Sequence, residues 1–187
     1  MKFFAAIVSL VAASAAGAKT THTAPLNKDV GLVYTNMKCG SDPCSQTNLH
    51  GQTSYMAYLG NKDFRRIIMG FEMPKNIDQS KIKSCSLMMP ASLQAGSTAN
   101  YYNLIVRPLN SDFDAETVTP MTAPGAGDVI GQTTANDGTP PPPIDVTSAC
   151  RNPNDGIVDL AIDATGAPAQ FPSLAGGSNA HLMIVME

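Results

Sequence analysis

The side chains best suited to hold a ligand are eight basic and aromatic residues. Arginine grips a carboxylate through two hydrogen bonds, and aromatic planes stack on sugar rings, so the set favours a polysaccharide-binding surface. The alternative to ligand binding is a structural role for each residue. In that interpretation the tyrosine rings are buried with their hydroxyl groups at the edge, and Arg66 pairs with Glu72. The chain has no tryptophan, which argues against a flat stacking platform for crystalline cellulose. The candidates are Tyr55, Tyr58, Lys62, Arg65, Arg66, Tyr101, Tyr102 and Arg107.

Catalytic and metal-binding patterns are weaker. The histidines His22, His50 and His181 are far apart, and none has a Ser or Cys partner at a recognisable spacing. Catalytic triads are assembled in space, so a Ser-His-Asp site stays open, but an enzyme is the interpretation ranked last. The acidic stretch Asp112–Glu116 offers oxygen ligands for Ca²⁺, yet it is not an EF-hand loop and is more typical of a solvated turn. We predict no catalytic site, no metal and no cofactor.

The beginning of the chain predicts export. Lys2 precedes a short apolar run, and small residues ending in Ala16-Gly17-Ala18 follow, which is the order of a secretory signal peptide. The apolar run is too short for a membrane span, which needs about 20 residues. We assign residues 1–18 to the signal, 19–28 to a flexible arm and 29–187 to a single domain. The mature protein is expected to be secreted, in the extracellular space or the cell wall, with no membrane partner.

The charge balance limits the other partners. The chain has a formal net charge of -3 at pH 7, which gives no support for nucleic-acid binding, because that function needs a basic stripe. Fifteen glycines and 14 prolines with only 6% aromatic residues suit short strands joined by turns.

Four cysteines in an exported chain favour disulfides, with three possible pairings. The turn chemistry between Cys39 and Cys44 favours a local Cys39–Cys44 bond and therefore a long-range Cys85–Cys150 bond. A metal site is the weak alternative, because no CxxC or nearby histidine pair accompanies these residues.

Alternation of apolar and polar residues with a period of two predicts strands throughout the chain. Cys85, Leu87 and Met89 share one face, and so do Ile67, Met69, Phe71 and Met73. Asp145 or Thr147 can cap a short helical turn before Cys150. The predicted strands are 30–34, 53–59, 64–73, 82–89, 101–109, 157–163 and 181–187, with a long loop over 125–143. The fold class is therefore all-β, an antiparallel, jelly-roll-like β-sandwich with long Gly- and Pro-rich loops.

Taken in order, four segments resemble the DNRLRE-type β-sandwich domain, the group that includes carbohydrate-binding module family 96. They match its arginine-rich strand, its strand opening "I-x-S-A-x-L", its Trp-led acidic motif, and its "D-V-T" before a helical turn and an apolar strand. Phe113 stands where that family has tryptophan, Pro120 replaces the second aromatic residue, and Glu116 is one place later than expected. The resemblance implies that the Phe113 ring lies in the core, beside Val118. The segments are Arg65–Pro74, Ile82–Leu87, Phe113–Pro124, and Asp145–Thr147 followed by Ile157–Ile162.

The resemblance also implies a function, that of a secreted, non-catalytic protein similar to a carbohydrate-binding module and binding extracellular or cell-wall polysaccharide. Because Lys62, Arg65 and Arg66 are concentrated around one strand, with Arg107 as a fourth cation, an acidic glycan is the expected ligand. The alternative is a structural or interaction subunit of a surface or filament assembly, which self-associates and has no glycan ligand. The Thr-rich arm and the proline run Pro140–Pro143 would suit docking between subunits.

Overall fold

The computed structural model describes residues 19–35, 38–39, 42–43, 46–60, 63–93 and 101–187. These residues form β-structure, a five-residue helix α1 (Thr147–Arg151) and a 3₁₀ turn at Gln79–Lys81, so the all-β fold class is confirmed. In the part of the chain that the structure describes, no helix has the length and apolar character to cross a bilayer. The strands are β1 Thr21–Thr35, β2 Lys38–Cys39, β3 Asp42–Pro43, β4 Gln46–Asn48, β5 Ser54–Leu59, β6 Asp63–Glu72, β7 Ile82–Met88, β8 Tyr101–Pro108, β9 Gly131–Asn136, β10 Ile144–Asp145, β11 Ile157–Gly166, β12 Ala169–Pro172 and β13 His181–Met186.

An 11-stranded antiparallel sheet curls into a nearly closed sandwich. Its hydrogen-bonded order is β10-β7-β13-β1-β6-β11-β8-β9, while β4 pairs with β1, and β5 pairs with both β6 and β12. The end strands β9 and β10 approach each other at Gly131, where an added Cβ would lie 2.6 Å from Ile144 Cγ2. Glycine is needed at that position because a side chain would push the two ends of the sheet apart.

Strand β1 belongs to both layers of the sandwich. Its residues Thr21–Pro25 pair with β13, and after an irregularity between Leu26 and Lys28 the strand continues alongside β6. The flexible arm predicted for residues 19–28 is therefore wrong from Thr21 onward, where Ala24 and Leu26 are buried. The segment was predicted to be an arm because it is polar and Thr-rich, with Ala24 and Leu26 as its two buried apolar residues. Threonine nevertheless favours strands, and the partner strand β13 lies at the far end of the chain.

The main core fills the inside of the sandwich and contains the inward faces that the alternation predicts. Ile67, Met69, Phe71 and Met73 of the β6 segment are all buried there, as are Leu87 and Met89 of the β7 segment. Strands β1 and β11 end later than predicted, at Thr35 and Gly166. One whole strand, β9, lies within the loop predicted over 125–143. Strand β12 was also not predicted, because it is only 4 residues long.

The predicted Cys85–Cys150 disulfide is confirmed, and it joins β7 to α1 across a sequence separation of 65. The predicted helical turn is present, but its N-cap is Val146, without a side-chain cap, rather than Asp145 or Thr147. Asp145, one residue earlier, accepts hydrogen bonds at its Oδ1 from Thr147 N at 2.9 Å and Thr147 Oγ1 at 2.6 Å. The Cys39–Cys44 pairing falls outside the described residues.

A second, smaller cluster lies on the opposite side of β1, β6 and β11, here called the outer face. Val30, Leu32, Ile68 and Ala161 point away from the main core and are covered by residues 109–126, the covering loop. The loop contributes Leu109, Phe113, Ala115 and Val118 to the cluster. Phe113 is 6% exposed and Val118 5%, so the predicted burial of this pair is confirmed, although in the second cluster rather than the main core. Asn48 of β4 fastens the loop by donating to Val118 O at 2.7 Å and Ala115 O at 2.9 Å.

The buried carboxylate of Asp29 makes the stability of this fold depend on pH. Asp29 is 4% exposed and accepts a hydrogen bond from Leu174 N at 2.8 Å, and burial raises its pKa above the ordinary value of 3.8. With a raised folded-state pKa, ionised Asp29 opposes folding near neutral pH, and this cost disappears as the pH falls through that pKa. We expect Asp29→Asn to raise the melting temperature at about pH 7 and to lose this advantage towards about pH 4. Thermal unfolding across that range is the measurement, and an equal destabilisation at every pH would contradict the burial of the charge.

Candidate functional site

The covering loop leaves part of the outer face open, and polar side chains lie side by side there. Thr165 of β11 is opposite Asn103 of β8, which is opposite Thr134 of β9. In the next row, Ile105 of β8 is opposite Gln132 of β9. A shallow groove of about 450 Å³ follows these rows, and we call it the polar groove. It is lined by Asn103, Ile105, Gln132, Thr133, Thr134 and Thr165.

The groove combines hydrogen-bonding groups with a small apolar floor. Thr134 Oγ1 donates to Asn103 Oδ1 at 2.6 Å, which orients the Asn103 amide group across two strands. Amide and hydroxyl side chains both donate and accept hydrogen bonds, as sugar hydroxyls do, and Ile105 offers apolar surface between them. Because the residues belong to paired strands, their relative positions are set by the backbone rather than by mobile loops.

Two arginines border the groove and share one carboxylate. Arg66 donates from Nε and Nη2 to the two oxygens of Asp163, each at 2.8 Å, and Arg107 Nε lies 3.9 Å from Asp163 Oδ2. Asp163 is 1% exposed, so this carboxylate is held inside the cluster rather than presented to a ligand. Arg107 also donates to Gly127 O at 3.1 Å. The three side chains together carry one net positive charge.

The structural alternative for Arg66 is thus correct in kind but wrong in its partner. Glu72 is on the same strand, and at about 3.3 Å per residue the two side chains are about 20 Å apart. Asp163 lies opposite Arg66 because the strand register pairs Ile162 with Ile67. Only the long-range register could have identified this partner.

The predicted basic surface is divided by the geometry of β6. Successive residues of a strand face opposite sides, so Arg65 and Arg66 lie on different faces of the sheet. Arg65 is in register with Tyr58 of β5, and its Nη1 lies 3.7 Å from Met56 Sδ. The prediction that Arg65 and Arg66 bind one ligand together is therefore wrong. Lys62 lies outside the described residues.

The four candidate tyrosines separate into buried and accessible pairs. Tyr55 and Tyr102 are 2% and 0% exposed, so neither ring can stack on a sugar, and the structural alternative is correct for both. Tyr102 packs edge-to-face on Phe171, with 6.0 Å between the ring centroids. Tyr58 is half-buried, while Tyr101 is 70% exposed and, two residues before Asn103, shares its face of β8.

The acidic residues of the stretch Asp112–Glu116 accept hydrogen bonds within the covering loop. Asp114 accepts hydrogen bonds from Glu116 N and Thr117 Oγ1, both at 3.0 Å, and the bond from Glu116 is the main reason why its pKa is lowered. Asp112 accepts from Lys28 and from Phe113 N. Among the described residues, no three His, Cys, Asp or Glu side chains come together as a possible metal site.

Local sequence patterns do not reveal the polar groove because they do not reveal β9. Gly131–Asn136 has no apolar alternation, and its residues are those of a loop except for two consecutive threonines, which favour strands. Thr165 lies beyond the end predicted for its strand. The paired threonines are the signal that could have revealed the strand.

No family model matches the chain. The chain is similar to an uncharacterized secreted protein of Arthroderma benhamiae, with 28% identity over 151 residues that cover 79% of this chain and 75% of that protein. This similarity agrees with the export predicted from residues 1–18.

Proposed function

We propose that the protein is a secreted, non-catalytic polysaccharide-binding β-sandwich, and that its ligand lies in the polar groove. The observation that carries the proposal is the row of Thr165, Asn103 and Thr134 on three paired strands, next to the exposed ring of Tyr101. Hydroxyl and amide groups in a row can bind successive sugar hydroxyls, and an accessible tyrosine ring can stack on the apolar face of a sugar. The resemblance to the DNRLRE-type domain supports the same function.

The electrostatics of the site favour a neutral glycan over the acidic one predicted from the sequence. Arg66 uses two of its donors on Asp163, Arg107 is held by Asp163 and Gly127, and Arg65 lies on the other face. The positive charge available beside the groove is therefore small, and the protein as a whole is negatively charged. Binding through neutral hydrogen bonds should depend little on salt, unlike binding through exposed charges.

The test is retention of the secreted protein on immobilised polysaccharides, with neutral glucans, mannan and chitin compared with pectate and alginate. We expect retention on a neutral polysaccharide and a loss of about tenfold or more in affinity when Asn103→Ala and Thr134→Val are combined, because each lost hydrogen bond costs about 0.5 to 1.5 kcal/mol. Tyr101→Ala should weaken retention separately. Ser84→Ala, an exposed hydroxyl on β7 in the other layer, is the matched control and should bind as the unchanged protein does.

Two outcomes would contradict the proposal. One is retention on acidic polysaccharides alone that disappears with added salt, which would indicate that the arginines bind the ligand. The other is no retention on any polysaccharide, and association that rises with protein concentration in light scattering would then favour the interaction-subunit alternative.

A further inference from the structure

A lysine and an aspartate of the outer face meet Asp112 of the covering loop, whose side chain is 65% exposed. Lys28 of β1 is opposite Gly70 of β6, and Gly70 is opposite Asp159 of β11. The Lys28 side chain crosses the sheet over Gly70, where an added Cβ would lie 2.8 Å from Lys28 Cγ and 2.9 Å from Asp159 Oδ1. The Lys28 amine contacts Asp112 Oδ1 and lies 3.4 Å from Asp159 Oδ1. Glycine at position 70 is what allows the amine to reach both carboxyl groups.

The amine is held in largely enclosed, aromatic surroundings. The Lys28 side chain is 18% exposed, and its Nζ lies 4.1 Å from the centroid of the Phe113 ring and donates to Phe113 O at 2.9 Å. A lysine amine acts as a nucleophile once a neighbouring group has taken its proton.

Asp159 is the unusual member of the cluster. Its side chain is 0% exposed, and neither carboxyl oxygen accepts a hydrogen bond from any residue that the structure describes. Burial raises its pKa, while the neighbouring Lys28 acts in the opposite direction. A buried carboxylate without hydrogen bonds is costly, so burial favours the protonated form of Asp159 and suits this group to accept a proton and pass it on.

We propose that Lys28 and Asp112 form an intramolecular isopeptide bond and that Asp159 transfers the protons. Once Asp159 has passed a proton from the Lys28 ammonium group to the Asp112 carboxylate, the neutral amine attacks Cγ of Asp112, a C–N bond forms, and one C–O bond of the Asp112 carboxyl group breaks. Two of the three ammonium protons pass through Asp159 to the departing oxygen, which leaves as water, and the third stays on the amide nitrogen. Asp159 ends the reaction as it began, and no oxidant or cofactor is needed. Holding the amine against the carboxyl group supplies the proximity that makes such a condensation feasible.

The bond would fasten the covering loop to β1 covalently. The linked residues are 84 positions apart, and the link survives reduction, unlike the Cys85–Cys150 disulfide. For a secreted protein, the consequence is a loop that stays over the second cluster even in a reducing or proteolytic environment. The cluster is separate from the polar groove, so the two proposals stand or fall independently.

The decisive measurement is the intact mass of the secreted protein after reduction and denaturation. We expect it to be lower than the mass of the mature sequence by one water molecule. Proteolysis should give one branched peptide that joins Lys28 to Asp112, with no tryptic cleavage after Lys28. A full sequence mass in protein that had formed the Cys85–Cys150 bond would overturn the proposal. So would a water loss located in a linear peptide, such as a succinimide at Asp155-Gly156.

Substitutions separate the covalent bond from a simple ion pair. Lys28→Arg keeps the positive charge but carries no nucleophilic amine, so it should have the full mass. Asp159→Asn, nearly identical in shape, should leave most molecules unlinked because an amide cannot carry the protons. The matched control is Lys83→Arg, an exposed lysine on β7, which should lose one water as the unchanged protein does. Linked Lys28→Arg protein, or fully linked Asp159→Asn protein, would contradict the roles assigned here.

Discussion

Replacing Phe113 with alanine is expected to lower the free energy of unfolding by about 3 to 5 kcal/mol. Phe113 is 6% exposed and is the largest side chain that the covering loop contributes to the second cluster. Its removal would leave a cavity above Val30, Leu32 and Ile68, and it would also remove the ring against which the Lys28 amine lies. Urea denaturation followed by circular dichroism gives the free energy directly.

Phe113→Leu is the matched control for that measurement. It keeps most of the apolar volume, so we expect a loss of about 1.5 kcal/mol or less. A change of under about 1 kcal/mol for the alanine variant would contradict the packing of the covering loop, because buried phenylalanines cost more than that.

Replacing both Cys85 and Cys150 with alanine should cost about 4 kcal/mol, from the loss of a cross-link that closes a long loop. The disulfide spans 65 residues and both cysteines are 0% exposed, so the link constrains the unfolded chain strongly and joins β7 to α1 inside the main core. The predicted Cys39–Cys44 bond closes a much shorter loop, and the matching double alanine variant should cost only about 2 kcal/mol. Denaturant unfolding of the two variants gives the comparison.

Peptide mapping without reduction is the control on connectivity. It should recover Cys85 linked to Cys150, and we predict Cys39 linked to Cys44. Recovery of Cys39 linked to Cys85 or Cys150 would contradict the topology, because α1 would then have lost its connection to β7.

Local sequence patterns predict much of this fold. Alternation identifies the inward faces of β6 and β7 because the side chains of a half-buried strand repeat every two residues, and this period needs no knowledge of the partner strand. The burial of Phe113 and the Cys85–Cys150 bond are predicted for different reasons. The first comes from the order of motifs in a family resemblance, and the second from the turn between the other two cysteines.

The candidate site depends on information that local patterns do not contain. Whether Arg66 meets Glu72 or Asp163 is decided by the register of β6 against β11, which is a long-range property. Lys28 meets Asp112 and Asp159 for the same reason, since the three residues come from distant parts of the chain and converge only through strand pairing and the covering loop. A polar strand such as β9 shows no apolar alternation because both of its faces carry polar or small residues.

The direct test of the central claim is a titration of isotope-labelled, secreted protein with neutral oligosaccharides, followed by the backbone amide signals in nuclear magnetic resonance spectra. If the polar groove binds sugar, the amides of Tyr101, Asn103, Thr134 and Thr165 should shift together with a common dissociation constant. The amides around Ser84 on β7 should stay unchanged. Shifts confined to another face, or no shift with any sugar at millimolar concentration, would contradict the account.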